Sequence, residues 1–157
     1  MKFVATLMVG LLIASPCLAG DVAYRSGGKQ FAEAWHAFYD LSDHEPEIDD
    51  PLIKRGRPMV PSICSAIQHK DMKYRRYAIG ALGYIGDRRA LPTLEAILSD
   101  RTELEYFRGD ALHSIYQLDR ELGLRHAKQY QRENKYLTMM SGAILKQEPW
   151  LLEATEE

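Results

Sequence analysis

The sequence predicts an all-α protein, a short superhelix of about three helix pairs with capping helices at both ends. Apolar residues recur at helical spacing and almost nowhere alternate with the period of a strand. Glycine and proline punctuate the apolar stripes: Gly56, Gly86 and Gly123 where helices would end, Pro61 and Pro92 where helices would begin. The segment around Tyr74–Leu98 is also echoed on either side at a nearly constant offset.

Residues 1–19 stand apart from that pattern. Lys2 gives a basic start, "FVATLMVGLLIA" is an apolar run too short to span a bilayer easily, and Cys17 and Ala19 supply the small side chains of a cleavage site. The reading is a secretory signal peptide cut after Ala19, followed by one domain over 20–157. It predicts an exported protein, periplasmic or secreted, with no stable membrane insertion once the signal is gone. Lipid attachment at Cys17 is disfavoured, because Ala14, Ser15 and Pro16 lack the leucine and the small neighbour that such a site expects. Cleavage leaves Cys64 as the one cysteine, so no internal disulfide forms and stability rests on the core. Cys64 shares an apolar face with Val60 and Ile63, the place of a buried, inert thiol.

The elements then follow in order. "FAEAWHAFYDL" puts Phe31, Trp35, Phe38 and Leu41 on one side of a helix. The polar stretch "SDHEPEIDDP" connects it to the next helices. Val60, Ile63, Cys64 and Ile67 form a second stripe, and Tyr74, Ala78, Ala81, Leu82 and Ile85 a third. Leu91, Leu94, Ile97 and Leu98 make a fourth; Leu104, Phe107, Ala111, Ile115 and Leu118 a fifth. "YLTMMSGAIL", followed by "EPWLL", closes the series.

These stripes repeat. "PSICSAI" from Pro61 resembles "PTLEAIL" from Pro92, and "YRRYAIGALGYI" from Tyr74 aligns with "FRGDALHSIYQL" from Phe107. In that register Arg75 matches Arg108, Ala78 matches Ala111, Ala81 meets the equally small Ser114, and Leu82 and Ile85 match Ile115 and Leu118. Such a period marks a solenoid whose helix pairs cannot bury their apolar faces alone.

Residues 71–100 carry a resemblance to a known family. "YRRYAIGALGYIGDRRALPTLEAILSD" resembles a HEAT repeat of the short type also found in phycobilisome lyases. Its pattern is filled by Tyr74, Arg75, Ala78, Ala81, Leu82, Gly83, Ile85, Gly86, Asp87, Ala90 and Asp100. The preceding unit matches in its second helix only. The following one matches in its first, with "DRELG" in place of the Gly-Asp hinge. The resemblance implies a right-handed α-α superhelix in which Arg75 and Asp87 make structural polar contacts. It also raises tetrapyrrole attachment or isomerisation as an enzymatic alternative, against which export argues.

Formal net charge is −2, with 20 lysines and arginines against 22 aspartates and glutamates. That balance argues against nucleic acid and anionic lipid as partners. Charge is segregated: "DHEPEIDD" and the tail "EATEE" are acidic, "HKDMKYRR" basic. No H-E-x-x-H, G-x-S-x-G or phosphate-cradling glycine loop occurs, so neither a cofactor nor a catalytic residue is expected. "HEPEIDD" lacks the spacing that closes around Ca²⁺ and reads as a solvated linker. Asp110 and His113 share a helix face and read as a surface hydrogen bond rather than an acid–base pair.

What remains is surface. Opposite the buried side of the Met72–Ile85 helix lie Lys73, Tyr77, Gly80 and Tyr84, flanked by Arg76, with Arg88 and Arg89 at the hinge. Tyrosine and arginine are enriched where proteins bind one another. Lys73, Arg76, Tyr77, Tyr84, Arg88 and Arg89 are therefore the candidate contacts, complementary to another protein with an acidic surface. The competing reading is that the helix holding "YLTMMSGAIL" covers the stripe. The expected role is a binding module, adaptor or inhibitor; a self-assembling envelope subunit is the remaining alternative.

Overall fold

A computed structural model describes residues 29–42, 44 and 49–152, and these contain eight α-helices and no strand. The predicted signal peptide 1–19, residues 20–28, most of the acidic linker (43 and 45–48) and the tail 153–157 lie outside the described residues. The helices are α1 (Lys29–Asp40), α2 (Pro51–Arg55), α3 (Val60–Ala66), α4 (Arg75–Ile85), α5 (Leu91–Ser99), α6 (Glu105–Leu118), α7 (Arg120–Tyr130) and α8 (Lys135–Lys146). Short 3-10 turns at Arg57–Met59, Arg88–Ala90 and Pro149–Leu151 join or follow them.

The helix ends obey local chemistry. Asp50 caps α2 by accepting the Leu52 N–H at 2.8 Å, and Pro51 follows at a position that needs no amide hydrogen. Asp119 caps α7 through Leu122 N at 3.0 Å, and Asn134 caps α8 through Leu137 N at 2.9 Å. Asp87 starts the turn into α5 by accepting from Arg89 N. Gly86 ends α4 at φ 71°, ψ 26°, the left-handed region where a Cβ is costly. Gly123, expected at a helix end, instead lies inside α7. There a Cβ would stand 2.5 Å from the Tyr116 Cα, so this glycine serves close helix approach rather than a turn.

Three pairs, α2–α3, α4–α5 and α6–α7, stack side by side with α1 and α8 closing the ends. α2, α4, α6 and α8 form one layer, each packed on the next, while α5 and α7 form a second layer against α6 and α8. This is a HEAT-like α-solenoid. One core runs through it, from Trp35 and Phe38 past Ile63, Leu82 and Leu98 to Leu112, Tyr116 and Ile144. Central helices are covered on two sides, so their buried stripes are wider than one face. Ile79 and Leu112 are fully buried beside the predicted Ala78 and Ala111. Leu104, expected in the core, is 55% exposed because it precedes α6 in extended conformation instead of belonging to it. Tyr74 likewise stands ahead of α4, at φ 60°. Cys64 is only half-buried; burial pushes its thiol pKa up.

Small residues set the stacking distance. A Cβ on Gly83 would meet the Ser114 Cα at 3.0 Å, and the Ser114 hydroxyl donates to the Ile79 carbonyl at 3.1 Å. The same arginine recurs in successive repeats. Arg75, 2% exposed, donates from Nε to the Ile67 carbonyl at the end of α3 (2.6 Å) and grips Glu103 with both terminal nitrogens at 2.7 and 2.8 Å. Arg108 donates to the Leu98 carbonyl near the end of α5 (2.8 Å) and pairs with Glu133. Each guanidinium also lies over an aromatic ring, Arg75 over Phe107 of the next pair and Arg108 over Tyr130 at the end of its own. One side chain thus completes the preceding helix end and anchors the following loop.

Two outcomes test this architecture. Arg75→Met leaves the buried Glu103 carboxylate with Lys70 alone, at 3.6 Å, and should lower unfolding free energy by about 2–4 kcal/mol in urea melts, most of it recovered in Arg75→Met/Glu103→Met. Gly86→Val should cost about 1–3 kcal/mol from backbone strain alone, since nothing lies within 4 Å of the added Cβ. Gly86→Asn should cost less, because asparagine tolerates the left-handed region.

Candidate functional site

Width of burial decides what α4 can offer. With Arg75, Ala78, Ile79, Ala81, Leu82 and Gly83 inside, the strip left facing outward is Arg76, Tyr77, Gly80 and Tyr84. The 33-residue register carries Tyr77 and Gly80 onto Asp110 and His113 of α6. In α8, Tyr136, Met139 and Met140 continue the same face. These three strips form the floor and walls of one groove of about 500 Å³. Its ends are closed by His44, Asp50 and Ile53 on one side and by Trp150 on another.

A polar clamp crosses the groove wall. Arg76 donates from Nε to Asp110 Oδ2 at 2.6 Å and from Nη2 to Asp110 Oδ1 at 3.2 Å, and Nη2 also donates to the Tyr136 hydroxyl oxygen at 2.6 Å. Tyr136 in turn donates its proton to Asp110 Oδ1 at 3.0 Å. Burial, reinforced by the adjacent Asp110 charge, pushes the Tyr136 phenol up to about 12. The phenol therefore keeps its proton, and the clamp ties α4, α6 and α8 together. Gly109 makes room for it: a Cβ there would lie 2.3 Å from the Tyr136 ring.

Aromatic contacts fix the other walls. Tyr77 stacks on His44 with centroids 4.8 Å apart, and His44 also meets Phe38 at 4.6 Å and Tyr74 at 4.1 Å. The left-handed backbone at Tyr74 is offset by this ring packing. On the far side, Leu151 is fully buried, and its carbonyl accepts from His113 Nε2 at 2.9 Å. A carbonyl can only accept, so the neutral ring carries its proton on Nε2. Trp150 then lies edge-on to His113 at 5.6 Å. Asp110 and His113 share a face as expected, yet each bonds elsewhere: Asp110 to Arg76 and Tyr136, His113 to the C-terminal turn. Neither is placed as an acid–base pair. Among the described residues no cluster of His, Cys, Asp or Glu could hold a metal ion, and no helix is long and apolar enough to cross a membrane.

The predicted contacts divide. Arg76, Tyr77 and Tyr84 line the groove. Lys73 does not; its ammonium sits 4.3 Å over the Tyr74 ring. Arg88 and Arg89 lie on the turn edge, where Arg88 pairs with Asp119 and Arg89 with Asp87 and the Arg57 carbonyl. The helix holding "YLTMMSGAIL" flanks the tyrosine stripe without covering it, so Tyr77 stays 37% exposed. Asp50, Tyr136, Met139 and Trp150 were not singled out by sequence. The repeat register from Tyr77 and Gly80 reaches Asp110 and His113, which the sequence had already placed on one face, while Trp150 follows α8 and carries no periodic signal.

Residues 74–100 match the family model of the PBS lyase HEAT-like repeat. No curated protein and no solved structure matches the chain.

The partly buried His113 ring supplies a pH test. Burial lowers its pKa below the usual histidine value of 6.5. The unfolded chain therefore binds this proton more readily, and His113's contribution to stability is lost as pH falls from about 6.5 through the folded pKa. NMR titration should place His113 below free histidine, and His113→Gln should flatten the acid side of the stability profile.

Proposed function

We propose that this protein is an exported binding module, an adaptor or inhibitor without catalysis of its own, and that its groove is the contact with another protein. The observation that carries this reading is convergence. Among the described residues four large apolar side chains are exposed: Tyr77, Leu104, Met139 and Trp150. Three of them, Tyr77, Met139 and Trp150, line the one groove. Scattered exposed hydrophobes need no explanation; a cluster of tyrosine, methionine and tryptophan in a concavity, ringed by polar groups, has the composition of a binding hot spot. Repeat scaffolds commonly offer such continuous faces.

The turn edge suits the acidic surface expected of the partner. Arg88 and Arg89 are 69% and 61% exposed, whereas the carboxylates they pair with, Asp119 and Asp87, are 17% and 11% exposed. Cations therefore face outward over inward-facing anions, and their field steers an acidic approach to the rim beside the groove.

The test is affinity capture from an envelope fraction with residues 20–157 as bait, beside a Tyr77→Ala/Tyr84→Ala variant whose melting is first matched to the parent. A discrete protein retained by the parent and reduced at least about tenfold by the variant supports the reading, since truncating two aromatic anchors removes about 2 kcal/mol or more. Equal retention by both places the contact elsewhere.

A further inference from the structure

The groove's chemistry says more than that it binds. Its lining includes three aromatic side chains, Tyr77, Tyr84 and Trp150, and the methionine Met139. Among its charged groups, Asp110 is already satisfied by Arg76 and Tyr136. Asp50 is different. It is 6% exposed and lines the groove, one of its oxygens caps α2, and its neighbour Asp49 is the residue that pairs with Lys54. None of the ion pairs with lysine or arginine among the described residues includes Asp50. Its charged form is favoured by the Leu52 and Ile53 N–H groups and, least, by His44, which stacks on Tyr77. With Arg76 spent on Asp110, Asp50 is the lining carboxylate that no lysine or arginine neutralises among the described residues, and it is desolvated in a groove lined by aromatic side chains. Aromatic faces and a desolvated carboxylate both favour a positive charge, and both disfavour an anion.

Resting on the binding-module reading, we propose that the groove receives a cationic side chain, the ammonium or guanidinium of a lysine or arginine presented by the partner protein. Its aliphatic stem lies among the tyrosine, tryptophan and methionine side chains, and its head is balanced by Asp50. The partner's acidic surface meets the turn edge outside the groove, so the two recognitions address different charges. Burial raises the Asp50 pKa, and a bound cation would lower it again, which makes the complex weaken as the carboxyl is protonated.

Three probes of one size separate the alternatives: n-butylammonium, 1-butanol and butyrate, each titrated into the protein while the Trp150 indole N–H and the Met139 methyl are followed by NMR. Trp35, buried and bonded to Ser62 at 3.0 Å, is the internal control. Butylammonium should bind at least about tenfold tighter than butanol, with butyrate weakest, and Asp50→Asn should abolish the preference. Asparagine caps helices as well as aspartate, so this variant keeps α2; Tyr77→Leu provides a second, with weaker ammonium binding and unchanged butanol binding. Butanol binding as tightly as butylammonium overturns the proposal and leaves the module reading with an apolar occupant. Butyrate preferred overturns it in favour of an anion at Arg76. Silence of all three probes at Trp150 also overturns it, while the capture experiment alone decides the module reading.

Discussion

A buried arginine in each of two successive repeats, Arg75 and Arg108, is the interaction on which the rest depends. Helix pairs stacked edge to edge leave the last carbonyls of one outer helix pointing into the seam with the next pair. Those carbonyls must be satisfied without water. Arg75 and Arg108 do this at Ile67 and Leu98, and their remaining nitrogens are neutralised by Glu103 and Glu133 from the next loop. Burying an ion pair brings little net stability. What it brings here is position, because the planar fork fits one carboxylate in one orientation. Each arginine thereby sets the rotation of its helix, and with it which side chains face out.

That rotation makes the groove. Because Arg75 points inward on α4, Arg76 and Tyr77 point outward. Because Arg108 does so on α6, Asp110 and His113 line up beside them. The Arg76–Asp110–Tyr136 clamp then joins three helices across the face, and the C-terminal turn is drawn in by His113 and Leu151. The exposed Tyr77, Met139 and Trp150 are therefore held on fixed supports. A rigid aromatic anchor loses little entropy on binding, which is what the proposed contact requires of them.

Much of this was legible in the sequence because local and global signals agree. Pro92, Gly86 and Asp87 mark helix ends by their own chemistry, and Arg75 and Arg108 declare the repeat by their spacing. Where neighbours decide, the sequence was less clear. Ile79 and Leu112 looked redundant to a one-sided stripe, yet a central solenoid helix is buried on two sides. Gly123 looked like a helix stop, but its missing side chain makes room for Tyr116 one helix away. The groove itself was half visible. Tyr77 and Tyr84 stood out by spacing on one helix, whereas Asp50, Tyr136 and Trp150 come from three other elements and meet only in the folded chain. Lys73, Arg88 and Arg89 are exposed as charged residues should be, but Lys73 precedes α4 and the two arginines lie on the turn after it, outside the concavity.

The central claim is that the arginine ties make α4, α6 and α8 one cooperative unit, so that the groove exists whole or not at all. Native-state amide hydrogen exchange on an Arg108→Met variant tests it most directly. The account predicts that protection falls together across α4, α6 and α8, with the Tyr77 and Met139 walls loosening in step. Loss of protection confined to the first turn of α6, with α4 and α8 unchanged, would contradict it.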